Sequence, residues 1–185
     1  MSILVRKINR AKWRLTDKQT VADLRGDAVT SCLRTSGDKL SVWKFDDDDC
    51  EKIKYESILA LMTGSSKNTI DDTIHVVFLN SKDLKEEGLE LGEQKGDTYV
   101  KDLVDAHRNI ENLNYFKLGK LAELILKQID TKNVHRINSS KIVNLLINAI
   151  EQKRLEFQDL NENLQAKLIE KCKNKNIDID EITNY

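Results

Sequence analysis

A chain of 185 residues is long enough for one domain, or for two small domains that share an interface. Hydrophobic residues make up 39% and charged residues 33%, and no apolar run is long enough to cross a membrane. These features predict a polar globular protein. The net charge of −1 is unevenly spread, since residues 1–37 carry +5, residues 38–112 carry −8 and residues 113–185 carry +2.

Cysteine usage and the N-terminus indicate the compartment. Cys32, Cys50 and Cys172 are odd in number and widely spaced, which excludes a disulfide scaffold or a zinc ribbon. The first apolar run is too short for a signal peptide. We therefore expect a cytoplasmic protein. Its many Lys, Asn and Ile residues are typical of an AT-rich genome, and we expect a bacterial source.

Strand-forming patterns dominate the N-terminal half of the chain. Residues 3–8 predict a first strand, and the polar connection at residues 36–38 predicts a hairpin between residues 28–35 and 39–45. Alternation in the second arm places Trp43 and Phe45 on one face. Residues 73–80 are rich in β-branched and apolar side chains, which favours a central strand buried on both faces.

Four consecutive aspartates, Asp46 to Asp49, precede a helical pattern over residues 50–63. Carboxylates at this position meet the unpaired amides and the positive end of the helix dipole. A calcium-binding loop needs acidic residues at alternating positions around a glycine, and this run has neither feature. We therefore interpret the aspartates as a helix cap.

Helical patterns dominate the C-terminal half. They cover residues 98–106, 113–129, a segment that Ser139 or Ser140 would cap, and residues 159–173. The predicted fold is therefore α+β: a small mixed sheet with one or two helices in the N-terminal half, followed by a helical bundle. We predict domains at residues 1–92 and 97–173, and a flexible tail at residues 174–185.

The sequence offers no recognisable catalytic or cofactor motif. It has no glycine-rich phosphate loop and no nucleophile elbow. His107 and Glu111 are four residues apart and could share a helix face, but two ligands do not make a metal site. His75, on the predicted central strand, has no carboxylate that strand geometry would aim at its ring. We expect no cofactor, no metal and a structural role for these histidines.

The charge distribution favours a protein that binds another protein, because complementary potentials steer association. We predict a non-catalytic interaction component, such as an accessory subunit of a multi-protein bacterial system, defence included, or an antitoxin-like or immunity-like inhibitor. Its partner would be another protein encoded nearby. The residues predicted to contact the partner are Arg6, Arg10, Trp13, Arg14, Trp43, Asp46, Asp47, Asp48 and Asp49. Both tryptophans also suit a place in the core.

Two alternatives remain open at this stage. The first is a nucleic-acid-binding module that uses the basic N-terminal segment and the lysines of the last helix, Lys167, Lys171, Lys173 and Lys175. A sequence pI near 6.3 gives this alternative little support. The second is an enzyme whose site combines His75 or His107 with a distant acidic residue.

Overall fold

A six-stranded antiparallel sheet runs through the molecule in the order β4-β5-β2-β1-β3-β6. The computed structural model describes residues 2–13, 20–64 and 73–174. The strands are β1 (Ile3–Ile8), β2 (Leu40–Phe45), β3 (Thr73–Asn80), β4 (Glu90–Glu93), β5 (His107–Glu111) and β6 (Val134–Asn138). The predicted strands at residues 3–8 and 73–80 are confirmed, and β3 pairs on both sides.

Helices cover both faces of the sheet. They are α1 (Gly26–Cys32), α2 (Cys50–Met62), α3 (Ser81–Glu86), α4 (Tyr115–Asp130), α5 (Ser139–Glu151) and α6 (Glu162–Asn174). Short 3₁₀ helices occupy Arg10–Trp13, Val21–Asp23, Lys101–Ala106 and Phe157–Asp159. No helix within the described ranges is long and apolar enough to span a bilayer.

The two faces of the sheet bury separate hydrophobic cores. Helices α2, α5 and α6 pack against the face of β3 that carries Ile74, Val76 and Phe78. Helices α1, α3 and α4 pack against the opposite face, which carries Val77 and Leu79. The period-two alternation of a strand sends successive side chains to opposite faces, and an all-apolar strand is stable only when both faces are covered. We refer to these as the α2 face and the α4 face.

The predicted order of a sheet followed by a helical bundle differs from the structure, in which strands and helices interleave. The α+β class is confirmed, but β5 and β6 lie in the region predicted to be helical. Strand β5 pairs with β2 and β6 pairs with β3, so strands from both predicted ranges, 1–92 and 97–173, share one sheet. Both strands have only five residues and mix charged with apolar side chains, which gives a weak strand signal in the sequence.

The first arm of the predicted hairpin is wrong, because residues 26–32 form helix α1. Its β-branched and small polar residues resemble a strand, yet Thr30 and Ser31 donate their hydroxyls to the carbonyls of Gly26 and Asp27, one turn earlier. The turn itself is present. Gly37 and Asp38 both have positive φ, at 58°, and Ser36 bridges Lys39.

The interpretation of the acidic run as a cap is confirmed for Asp49, its last residue. The Asp49 carboxylate accepts hydrogen bonds from the amides of Glu51 and Lys52, at 2.9 and 3.2 Å. Helix α5 begins differently from the prediction, because Asn138 rather than a serine is the N-cap and accepts from Lys141. The predicted tail at 174–185 lies outside the described residues, apart from Asn174, which ends α6.

Candidate functional site

Both tryptophans predicted to contact a partner lie inside the protein. Trp13 is fully buried in the α4-face core, and its Nε1 has no hydrogen-bond partner among the residues that the structure describes. Trp43 is 6% exposed in the α2-face core, where its ring meets that of His107 edge-on at 5.2 Å between centroids. Their positions match the core role that the sequence also allowed. Neither ring is accessible in this conformation.

The acidic run makes contacts within its own chain. Asp46 accepts hydrogen bonds from Ser2 and pairs with Lys44 at 3.1 Å, and both interactions lower the pKa of its carboxyl. Asp47 pairs with Lys52 at 2.6 Å, and this contact holds its pKa below the ordinary value. With Asp49 capping α2, three of the four carboxylates therefore have local structural partners. Asp48 is exposed.

The basic N-terminal residues divide between a structural role and the surface. Arg6 donates Nη1 to the Ser41 carbonyl at 2.7 Å and Nη2 to the Cys32 carbonyl at 3.0 Å, so it links β1 to β2 and α1. Arg10 donates to the Trp13 carbonyl at 3.3 Å. Arg14 lies outside the described residues. The partner-binding role of these arginines stays a prediction.

The histidines bear on the enzyme alternative. His107 is buried, and its Nδ1 lies 3.1 Å from the Gln94 carbonyl oxygen. His135 packs against the Phe78 ring at 4.2 Å. His75 on β3 has two cations near it, Arg136 and Arg10. Among the residues that the structure describes, no group of three His, Cys, Asp or Glu side chains could hold a metal ion.

Burial of the three histidines makes the stability of the protein depend on pH. Desolvation lowers the pKa of His75, His107 and His135 below the ordinary 6.5. The unfolded chain therefore binds more protons than the folded chain as the pH falls through 6.5. The contribution of the neutral histidines to the free energy of unfolding is therefore fully present above pH 6.5 and decreases as the pH falls below that value.

We predict that the free energy of unfolding decreases on acidification from about pH 7.5 to about pH 5.5, and that His107→Gln makes this decrease smaller. Glutamine retains a donor for the Gln94 carbonyl but cannot titrate. Urea unfolding at a series of pH values measures the effect. If the free energy of unfolding of His107→Gln decreased as much on acidification as that of the parent, His107 would not contribute to the pH dependence of stability.

Two adjacent aromatic side chains stand at the start of α4. Tyr115 is 91% exposed and Phe116 is 70% exposed. Asn114 is the N-cap of this helix: its side chain accepts a hydrogen bond from the Lys117 amide at 2.9 Å, and the preceding Leu113 is buried. Both rings lie in the first turn, ahead of the buried residues of α4, which begin at Leu121, and both therefore stand in solvent.

Tyr115 borders an apolar groove between α1 and α4, with a volume of about 480 Å³. The described residues that line it are Ala22, Leu24, Gly26, Val29, Thr30, Tyr115, Leu118, Gly119 and Ala122. Four of these nine have no side chain larger than a methyl group. A Cβ placed on Gly26 or Gly119 would have no atom within 4 Å, so the groove is open at both positions. We call this groove, with Phe116 beside it, the aromatic groove.

The aromatic groove is also the feature that sequence reasoning missed. Tyr115 and Phe116 both fall in the helix predicted over residues 113–129, and neither was among the residues predicted to contact a partner. The available signal was the Tyr115–Phe116 pair itself, two large aromatic side chains in the first turn of the predicted helix. Large exposed aromatic side chains next to an apolar depression are typical of protein-binding surfaces.

We predict that Gly119→Ala raises the free energy of unfolding by about 0.5–1 kcal/mol, since alanine lowers the entropy of the unfolded chain and meets no atom in the groove. Gly88→Ala serves as the control and should destabilise, because Gly88 has a φ of 70°. Thermal and urea unfolding measure both variants. A loss of stability in Gly119→Ala would show that the groove is closed in solution.

Comparison with known proteins gives no match: no protein-family model, no curated protein and no solved structure resembles this chain significantly.

Proposed function

We propose that this protein is a non-catalytic interaction component that binds another protein through the aromatic groove. The observation that carries the proposal is the pair of exposed rings, Tyr115 and Phe116, at an open apolar groove. Aromatic side chains contribute much of the binding energy at protein interfaces when a partner desolvates them. An accessory subunit or an inhibitor of a bacterial toxin or effector, acting in the cytoplasm, is the setting that we propose.

The groove suits one kind of occupant, a basic amphipathic helix of the partner protein. Two helices form its walls, and glycine and alanine in its lining let a third helix approach closely. The exposed charges that flank its lining residues along the chain are Asp23, Asp27, Glu123 and Arg25. Lys120, whose Nζ lies 5.1 Å from the Phe116 ring centroid, and Lys117 are each paired with a carboxylate, Glu87 at 3.0 Å and Glu90 at 3.4 Å, so the acidic residues stay in excess. Lysine or arginine beside the apolar stripe of the partner helix would complement this net negative charge.

Peptide binding tests the proposal. The probe is a 16-residue helical peptide with leucine and phenylalanine at helical spacing and lysine on its other positions; its counterpart carries glutamate in place of lysine. Calorimetry should show the basic peptide binding at least about tenfold more tightly than the acidic one. Gly119→Trp, which fills the groove, should abolish binding. Equal binding by the parent and Gly119→Trp would contradict the proposal, as would preference for the acidic peptide.

The nucleic-acid alternative has less support from the geometry. The predicted basic groups belong to elements on opposite faces of the sheet. The 3₁₀ helix at Arg10–Trp13 packs on the α4 face through Trp13, whereas α6 packs on the α2 face through Leu164 and Leu168. Lys175 lies outside the described residues. A continuous basic track, which phosphate contacts along a strand require, would have to cross the edge of the sheet.

A further inference from the structure

A second cleft lies where β1 ends and β3 begins, at the Ser31–Cys32 end of α1, whereas the aromatic groove is lined by Gly26, Val29 and Thr30 of the same helix. Its volume is about 560 Å³, within the range of small-molecule sites. The described residues that line it are Arg6, Lys7, Ile8, Asn9, Ala11, Ser31, Cys32, Leu61, Thr73, Ile74 and His75. One part of this lining is apolar, and the rest carries cationic and hydroxyl groups.

Arg6 brings a partly buried positive charge to the cleft. Its Nε and Nη2 donate to the Cys32 carbonyl at 3.3 and 3.0 Å, and its Nη1 donates to the Ser41 carbonyl at 2.7 Å. These bonds leave two of the five N–H groups of the guanidinium for another acceptor. Burial lowers the pKa of Arg6, but a guanidinium stays charged in proteins. All of its acceptors are neutral carbonyl oxygens.

Two more arginines stand near the cleft and act on His75. Across β3 and β6, His75 pairs with Arg136, whose Nη2 lies 3.4 Å from the Thr73 hydroxyl. Arg10, on the adjoining 3₁₀ helix, donates to a backbone carbonyl. Both charges lower the pKa of His75 further than burial alone. None of the three arginines has a carboxylate partner among the described residues.

We propose that this cleft binds a small molecule that carries a phosphomonoester. The phosphate would lie near His75, where arginines from β1, β6 and the 3₁₀ helix supply charge-assisted donors. The apolar part of the wall, at Ile8, Ala11 and Leu61, would hold an organic ring joined to that phosphate. Arg6 donates to the last carbonyl of α1, and Arg10 and Arg136 each donate to one neutral oxygen, so all three guanidinium groups keep N–H donors for a phosphate.

The probes are adenosine monophosphate, inorganic phosphate, adenosine and a 12-nucleotide single-stranded DNA, at about 50 mM salt. The readouts are calorimetry and the NMR titration of His75, with His107 and His135 as internal references. Adenosine monophosphate should bind at least about tenfold more tightly than inorganic phosphate, and adenosine should not bind. A bound dianion should raise the pKa of His75 and leave those of the other two histidines unchanged.

The Arg10→Gln/Arg136→Gln double variant should bind adenosine monophosphate at least about tenfold more weakly. Arg136→Gln alone, at an exposed position, is the second variant and should show a smaller loss in the same direction. The control Lys101→Gln/Lys127→Gln removes two exposed charges elsewhere and should bind like the parent. Equal affinity in the double variant and its control would overturn the proposal.

Three further outcomes would also overturn it. The first is no change at His75 with any phosphate probe up to about 10 mM. The second is that inorganic phosphate binds as tightly as adenosine monophosphate, which would show that the cleft recognises an anion and not the organic ring. The third is DNA binding far more tightly than the mononucleotide with a steep salt dependence, which would assign the cleft to nucleic acid.

Discussion

Trp43→Ala is expected to lower the free energy of unfolding by about 3–5 kcal/mol, the usual cost of truncating a buried large aromatic side chain. Trp43 is 6% exposed on β2, and it sits between Val5 of β1 and His107 of β5 in the register of the sheet. Its ring fills space between the sheet and the connection that follows β4. Urea unfolding measures the loss, and a cost below about 1 kcal/mol would place the ring outside the core.

Gly96 provides a second test of the position of the Trp43 ring. A Cβ at Gly96 would lie 2.6 Å from Cη2 and 2.8 Å from Cζ3 of Trp43, so Gly96→Ala forces the ring to move. The Gly96 amide also donates to the Val104 carbonyl at 2.7 Å, which holds the backbone against the ring. The same Cβ would lie 2.9 Å from the His107 Cβ, so we expect Gly96→Ala to cost about 1–3 kcal/mol in the parent and only part of that in Trp43→Leu. Additive losses would contradict this contact, and Gly26→Ala, which meets no atom, is the control.

Tyr115→Ser/Phe116→Ser is expected to weaken binding of the basic peptide, or of the natural partner, at least about hundredfold. Each ring would lose the contact area that the partner buries, whereas the free protein loses little, since both side chains already stand in solvent. The melting temperature should therefore stay close to that of the parent. Calorimetry and thermal unfolding of the same sample separate the two effects.

Tyr99→Ser is the matched control for the aromatic pair. Tyr99 is 39% exposed, and its backbone amide, which donates to the Thr63 carbonyl at 3.0 Å, stays intact in the variant. It lies on the connection between β4 and β5, away from α4. Binding should be unchanged in this control. A loss of binding equal to that of the double variant would show that the peptide recognises exposed aromatic rings in general rather than the aromatic groove.

The elements predictable from the sequence are those with a strong local signal. Strand β3 has a nearly unbroken apolar run, and α2 has both an aspartate cap and apolar periodicity, so both were predicted within a residue or two. Helix α1 was not, because its tertiary contacts, such as Arg6 on the Cys32 carbonyl, override the strand propensity of its residues. Strands β5 and β6 become strands through pairing with β2 and β3, which no local pattern records.

The candidate sites also differ in whether a local sequence pattern indicates them. Sequence patterns identified the Asp49 cap of α2 and the basic segment, but they could not tell a buried tryptophan from an exposed one. Trp13 and Trp43 lie in the cores, while the exposed pair is Tyr115 and Phe116. Likewise, only the pairing of β3 with β6 brings Arg136 beside His75, across 61 positions of sequence. Sites built from distant residues depend on sheet register, which the sequence alone did not reveal.

Photo-crosslinking in the native host tests the central claim most directly. A photoreactive phenylalanine analogue at position 116 should crosslink to one protein, at a helical segment with an apolar stripe and flanking lysines or arginines, and Gly119→Trp should abolish the adduct. The same analogue at exposed Glu170, on α6, should not form it. Adducts of equal yield at both positions, or an adduct that persists in Gly119→Trp, would contradict binding through the aromatic groove. An adduct between two copies of this chain would contradict a separate partner.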